Sequence, residues 1–214
     1  MIIARRMTKH PVVANQHMST LDALDLMKRK GVAKLPVLDD NMNLVGILTE
    51  KDILRANLPE VKQLSLLEMA YQVGITSIES IMTRDVISIT PDTGIEEAAR
   101  IMVMQDLSFL PVVKDGKLEG VVSKSDMFKT MMDLFGARVY GARITLALDD
   151  KVGMIAKISK ILADNNLSII SFCNFSDDES GKVICTLKVE GTDEDTLRKL
   201  LSPLAVAIVD EGEV

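Results

Sequence analysis

"GILTEKD" at residues 46–52 and "GVVSKSD" at residues 120–126 share one pattern: a glycine, a hydroxyl three residues on, and an aspartate three residues after that. Each stretch leads from a β-rich segment into a helical one. Thr49 and Ser123 stand where a helix N-cap belongs, with Asp52 and Asp126 at the third helical position, a capping-box spacing. An acid in the first turn is also favoured by the helix dipole. A second reading stays open beside this one. Glycine at a strand end lets another group approach the backbone, and a helix N-terminus attracts phosphate. The carboxylate can then accept both hydroxyls of a ribose, and the hydroxyl of Thr49 or Ser123 can bond a phosphate oxygen.

The two stretches belong to a duplication. "MTKHPVVANQHMSTLDALDLM" from Met7 aligns without a gap on "MTRDVISITPDTGIEEAARIM" from Met82, at an offset of 75. "KLPVLDD" (34–40) then falls on "FLPVVKD" (109–115). After one extra residue in the first loop the offset becomes 74, and Gly46, Thr49 and Asp52 meet Gly120, Ser123 and Asp126.

Each copy reads as a short extended start ("PVVA", "VISI") followed by an amphipathic helix. Its apolar positions are Leu24, Met27 and Val32 in one copy and Ile95, Ala98, Ala99 and Met102 in the other. A strand through "LPV", a turn, a second strand and a helix opened by the hydroxyl complete a βαββα unit. Neither copy is large enough to close a good core alone, so the two are expected to pack together with pseudo-twofold symmetry. Residues 59–77 between them read as a linker helix, strongest over residues 61–71.

From residue 138 the pattern changes. "ARITLALDD" reads as a strand and "VGMIAKISKILADNN" as a helix with Ile155, Ile158 and Ile161 or Leu162 inward. "LSIISFCNF" and "KVICTLKVE" are strands around a polar turn. "DEDTLRKLLSPL" is a helix capped by Thr192 or Asp193 and stopped near Pro203. "AVAIVDE" is a last strand. The order βαββαβ is that of a ferredoxin-like sandwich. The expected class is therefore α+β, with domains at 1–58, 78–135 and 138–214.

Composition narrows the function. The chain has 214 residues, 47% of them hydrophobic but only 3% aromatic, so its thirteen Met and many aliphatic residues must do the packing. A net charge of −6 opposes nucleic acid and anionic membrane. No run approaches the roughly 18 apolar residues of a membrane span, and the start lacks the features of a signal peptide. Two Cys without metal-type spacing fit a reducing compartment, so a cytoplasmic protein is expected. Cys173 and Cys185 lie equidistant from the turn near Glu179, which places them face to face as reduced thiols. The acidic turn 177–179 is a poor metal cage. Neither His10 nor His17 has the neighbours of a catalytic set, and no nucleophile, P-loop or zinc-protease motif is present. No enzyme, catalytic cofactor or metal is expected.

The first 135 residues resemble a tandem pair of CBS domains, a Bateman module. The residues that carry the likeness are "MT" at Met7 and Met82, "LPV" at Leu35 and Leu110, and the two glycine–hydroxyl–aspartate stretches. The resemblance implies binding of an adenine nucleotide or related adenosyl ligand between the repeats. Asp52 and Asp126 would hold ribose, and Thr49 and Ser123 phosphate. Lys34, Leu35 and Pro36, with Phe109, Leu110 and Pro111, would form the walls. Asp85 and Lys124 complete the set. The two sites differ: Lys34 with Glu50 in one copy corresponds to Phe109 with Lys124 in the other, so unequal affinities are expected, with a preference for the Asp126 site.

Residues 138–214 resemble an ACT domain, through "DDKVGM" at 149–154 and "ADNNLSI" at 163–169. That likeness implies either an amino-acid site at Val152, Gly153, Met154 and Asn166 or a purely structural dimerising domain. The whole arrangement resembles the acetoin utilization protein B family. It implies a homodimeric regulator of carbon metabolism that answers to a small-molecule effector and acts on another protein.

Overall fold

The computed structural model describes residues 1–57, 76–178 and 180–209. The linker helix expected over 59–77 lies almost wholly outside them. The described residues form two compact units, 1–127 and 128–214.

In the first unit, helix α1 (Thr20–Lys30) starts at Ser19, whose side chain accepts the Asp22 amide, and ends at Gly31 in the left-handed region at φ 64°. It buries Ala23 and Met27, with Leu24 and Val32 packed at the margin. Strands β3 (Lys34–Leu38) and β4 (Leu44–Thr49) form an antiparallel hairpin, and β2 (Ala14–Asn15) adds to β3 in parallel. Helix α2 (Glu50–Asn57) follows directly from β4. The second copy repeats this with helix α3 (Ile95–Met104), strands β5 (Phe109–Lys114) and β6 (Lys117–Ser123), and helix α4, which opens at Lys124 and runs to Leu134. The extended starts are shorter than expected. "PVVA" contributes only its last residue to β2, and "VISI" only a single parallel bridge from Ile89 to Val112.

The leading segments of the two copies are exchanged. Strand β1 (Thr8–Lys9) pairs not with its own copy but with β6, Thr8 opposite Val121 and Lys9 opposite Gly120. Thr83 bridges Ile47 of β4 in the same way. Ile3 is fully buried in the core of the second copy, among Ala98, Met102, Leu110 and Val122. Ile78 and Met82 enter the core of the first, among Ala23, Met27, Leu35 and Ile53. Each repeat thus completes its partner's core, which is how two undersized copies become one stable unit.

In the second unit, β7 (Ala142–Leu148), helix α5 (Met154–Asp164), β8 (Ser168–Asp177), β9 (Lys182–Glu190), helix α6 (Glu194–Leu201) and β10 (Ala207–Ile208) follow in the expected order. The sheet order β10-β7-β9-β8, antiparallel throughout, is the ferredoxin-like arrangement. Alternate residues of β7 and β9, among them Ile144, Leu146, Leu148, Cys185, Leu187 and Val189, pack against Ile158, Leu162, Leu197 and Leu201 of the helices. Asp193 is the cap of α6, accepting the Thr196 amide. Ile155, expected inward, is 55% exposed; the turn-starting Gly153 sets the helix so that Met154, Ile158 and Leu162 face the sheet instead. The two cysteines are not opposite each other. The register pairs Cys173 with Thr186 and Cys185 with Asn174, because the loop between Asp177 and Lys182 holds an even number of residues. Among the described residues no helix is long and apolar enough to cross a membrane.

Candidate functional site

The hydroxyl–aspartate pairs are helix caps in both copies. The Asp52 Oδ2 accepts the Thr49 amide at 2.8 Å and the Thr49 hydroxyl at 2.7 Å, while the Asp52 amide donates to Thr49 Oγ1 at 3.3 Å. The Asp126 Oδ2 accepts the Ser123 amide at 3.0 Å and its hydroxyl at 2.6 Å, and the Asp126 amide donates to Ser123 Oγ at 3.3 Å. These reciprocal boxes hold each carboxylate rigidly at the mouth of its helix, where the backbone N–H groups converge. In both boxes the amide and the hydroxyl of the cap residue donate to the same carboxylate oxygen.

The close approach that each glycine permits is made by protein. A β-carbon on Gly120 would stand 2.8 Å from Met7 Sδ and 2.8 Å from the Thr8 carbonyl oxygen; one on Gly46 would stand 2.5 Å from Met82 Sδ and 3.1 Å from the Thr83 carbonyl. What approaches each glycine backbone is the exchanged Met-Thr of the other repeat. That close approach links "MT" with "G" in the motif.

The exchange also decides how the site is assembled. A cleft of about 520 Å³ is lined by Thr8, His10, Pro11 and Val12, by residues 31–34 and Pro36, by Ser108 and Phe109, and by Val121, Ser123, Ser125 and Asp126. It draws its carboxylate and hydroxyl from the second copy and its lysine from the first. Lys34, read from the sequence as belonging with Glu50, stands in the Asp126 cleft and donates to Ser108 Oγ at 2.7 Å. Burial, with repulsion from Lys124 and Lys51, lowers the Lys34 pKa below 10.5, while Asp52 opposes the shift. Its ammonium is therefore held with a neutral hydroxyl as partner, a poor substitute for an anion.

Of the twelve residues expected to contact nucleotide, Lys34, Pro36, Phe109, Ser123 and Asp126 line this cleft. Leu35 and Leu110 do not: each is fully buried on the opposite face of its strand, in the two hydrophobic cores. Period-2 alternation sends Lys34 and Pro36 one way and Leu35 the other. Pro111, Lys124, Thr49, Asp52 and Asp85 lie outside its lining, with Lys124 3.8 Å from Asp106. His10, which the sequence marks only as lacking the neighbours of a catalytic set, belongs to the wall, with its backbone at φ 51°. At the offsets of the repeat, His10, Gly31 and Ser125 correspond to Asp85, Asp106 and Lys51. The Asp126 cleft thus has an imidazole and a glycine where the related positions carry two carboxylates.

In the second unit a smaller cleft of about 250 Å³ lies under the β7–α5 loop, lined by Asp149, Val152, Gly153, Met154, Phe172, Asn174 and Cys185 among others. Gly153 is at φ 91°, a conformation that favours glycine. Asn166 is not part of the lining. Asp149 is held by Lys182 at 2.8 Å and Lys151 at 2.9 Å, which bring its pKa down to about 2.

Known proteins share the fold of the first unit. CBSX2, solved in complex with AMP, is 29% identical, covers 61% of this chain and 96% of its own, and superposes with a TM-score of 0.52. The CBS domain pair of MJ0100, solved with 5′-methylthioadenosine and S-adenosyl-L-methionine, is 28% identical over 65% of this chain and 98% of its own, with a TM-score of 0.51. A Vibrio cholerae protein named for acetoin utilization (AcuB) is 27% identical over 64% of this chain and 95% of its own, with a TM-score of 0.55. Among curated relatives, the uncharacterized MJ1426 of Methanocaldococcus jannaschii is 28% identical over 61% of this chain and 92% of its own. The alignments span only 41% of its MJ1225 and 14% of the A-adding tRNA nucleotidyltransferase of Aquifex aeolicus, where the pair is one part of a longer chain. The CBS domain family matches residues 3–58 and 78–133, more than half of the sequence, and the chain belongs to it.

Proposed function

We propose that this chain is a non-catalytic sensor of an adenine nucleotide or related adenosyl compound, bound in the Asp126 cleft. The observation that carries this reading is the convergence of Ser123, Asp126 and the helix mouth of one repeat with Lys34 and His10 of the other around one cleft. Asp126 accepts the ribose hydroxyls, Ser123 and Lys34 meet phosphate, and Pro11, Val12, Val32 and Phe109 supply the apolar walls for the purine. The AMP and adenosyl complexes of CBSX2 and MJ0100 support this chemistry. Because the cleft joins both repeats, occupancy favours one packing of the pair over another, and that population shift is the signal. The regulated protein is a separate cytoplasmic partner, and the likeness to the AcuB structure favours acetoin or related carbon metabolism.

The test is a thermal-shift panel of AMP, ADP, ATP, S-adenosylmethionine, methylthioadenosine and adenosine on the full chain. A ligand that binds only the folded state raises its melting temperature by mass action. At least one compound should do so; no shift with any of them would refute the reading.

A second reading has its own observation. The residues 152–154 expected of an ACT-type amino-acid site do line the 250 Å³ cleft of the second unit, whose β-α-β-β-α-β order suits that assignment. Amino acids in the same panel, with Gly153→Ala as control, test it. Shifts with amino acids and none with nucleotides would move the sensing role to this unit.

A further inference from the structure

We propose that Ser108 sets the ligand class of the Asp126 cleft by standing in for a phosphate: its hydroxyl holds the Lys34 ammonium until an adenosine 5′-phosphate draws it away. This rests on the reading of that cleft as an adenosyl site.

Lys34 opens β3 and pairs across the hairpin with Thr49, so its side chain is rooted beside the capping box of its own copy. Its ammonium nevertheless ends on the other copy, donating to Ser108 Oγ at 2.7 Å. Ser108 immediately precedes β5, and its carbonyl oxygen accepts the Lys124 amide at 3.1 Å, at the mouth of α4. The ammonium of the first copy is thereby tied to the residue that seats the helix mouth of the second. Lys34, Ser108, Ser123 and Asp126 all line the one cleft.

The fold does not need this side-chain bond. At the offset of 75, Lys34 corresponds to Phe109 and Ser108 to Ala33. That mate pair, a phenyl ring and a methyl group, cannot make it. The main-chain bond beside it does recur, with the Glu50 amide donating to the Ala33 carbonyl at 3.2 Å. Backbone thus seats both helix mouths alike, and the Lys34–Ser108 bond is an addition in the Asp126 cleft.

The hydroxyl is a weak holder. Lys34 is partly buried and repelled by Lys124 and Lys51, with Asp52 offsetting only part of that cost. A neutral oxygen leaves the charge uncompensated. A phosphate supplies the opposite charge as well as the acceptor oxygen, the stronger partner for an ammonium. A neutral 5′ substituent does not, and leaves the bond to Ser108 intact. The change of partner therefore separates adenosine 5′-phosphates from neutral adenosyl compounds. It also breaks a side-chain tie between the two copies only when phosphate arrives.

Calorimetric titration of the full chain with AMP and with adenosine tests this. Ser108→Ala removes the competing acceptor and should raise the preference for AMP over adenosine about fivefold. Ser108→Asp fixes an anion on the ammonium and should lower that preference roughly tenfold. In a Lys34→Met background the Ser108→Ala gain should vanish, because the two residues act as one pair. A preference that falls or stays level in Ser108→Ala would overturn the proposal, as would a gain that survives Lys34→Met. With adenosine still bound by the wild type, either result removes the role of Ser108 and leaves the adenosyl cleft standing. A wild type that binds neither compound removes both.

Discussion

Met7 of the first repeat rests on Gly120 of the second, its sulfur 2.8 Å from where a β-carbon would stand, while Met82 rests on Gly46 in the mirror relation. The two contacts fasten the exchanged leading segments that finish each core. They are alike in kind but not in tolerance. At Gly120 the Thr8 carbonyl oxygen is also 2.8 Å away, and backbone moves less readily than a methionine tip; at Gly46 the corresponding oxygen is 3.1 Å away. Gly120→Ala should therefore destabilise by about 2–3 kcal/mol and Gly46→Ala by about 1–2 kcal/mol. Urea unfolding of the two variants measures the order, and an equal or inverted effect would contradict the packing described.

The capping boxes make a separable prediction. Asp52→Ala and Asp126→Ala each remove a cap that accepts an amide and a hydroxyl, costing about 1 kcal/mol. Only Asp126→Ala should also abolish the ligand-induced rise in melting temperature, because only Asp126 stands in the described cleft. The comparison to make is the ligand shift within each variant, not the absolute melting temperature.

Much of this architecture was legible in the sequence because it is written in local pattern. The 75-residue offset, the helix caps and the alternation of β7 and β9 each depend on neighbours close in the chain. The exchange was not legible. Nothing in "MTKHP" states that Thr8 will pair with Val121 and not with its own hairpin, since the pairing partner lies more than a hundred residues away. For the same reason Lys34 was grouped with Glu50, its neighbour across the first copy, when it joins Asp126. The strand motif also names Leu35 and Leu110, which face the two cores and not the cleft. The glycines were correctly expected to permit a close approach, but the approaching group is protein.

Acid should weaken the second unit in a definite window. Asp149, paired with Lys182 and Lys151, has its pKa lowered from 3.8 to about 2. A carboxylate with a depressed folded pKa stabilises above its unfolded value, and that contribution is lost as protons bind. The contribution is complete above about pH 4 and disappears as pH falls through 2. Asp149→Asn should melt lower than wild type at neutral pH, with the gap closing across that interval. A gap independent of pH would show that the ion pairs do not contribute.

The thiols should behave unequally. Cys185 is buried in the sheet, and burial with the nearby Cys173 pushes its pKa up to about 11. The reactive thiolate is then scarce at neutral pH. Cys173 is partly exposed. Iodoacetamide on the folded protein should give one rapid adduct at Cys173, located by mass spectrometry, and a second at Cys185 only in denaturant. Fast double labelling without unfolding would contradict the burial.

Lys34 links stability, pH and ligand choice in one side chain. Its pKa is lowered by burial and by Lys124 and Lys51, so at neutral pH the folded state holds an ammonium it disfavours. Between the lowered value and 10.5 the unfolded chain binds more protons, and stability from this group rises with pH. Lys34→Met should keep or raise the melting temperature at pH 7 and erase that alkaline gain. A bound phosphate supplies the counter-charge that Ser108 lacks, so AMP should bind less well to Lys34→Met, by roughly tenfold. Adenosine, without phosphate, should bind both proteins alike. Wild-type affinity for AMP should also decline as pH climbs toward the lowered Lys34 pKa, while that for adenosine stays level. Calorimetry across that range is the measurement, and parallel profiles for the two compounds would remove Lys34 from the phosphate subsite.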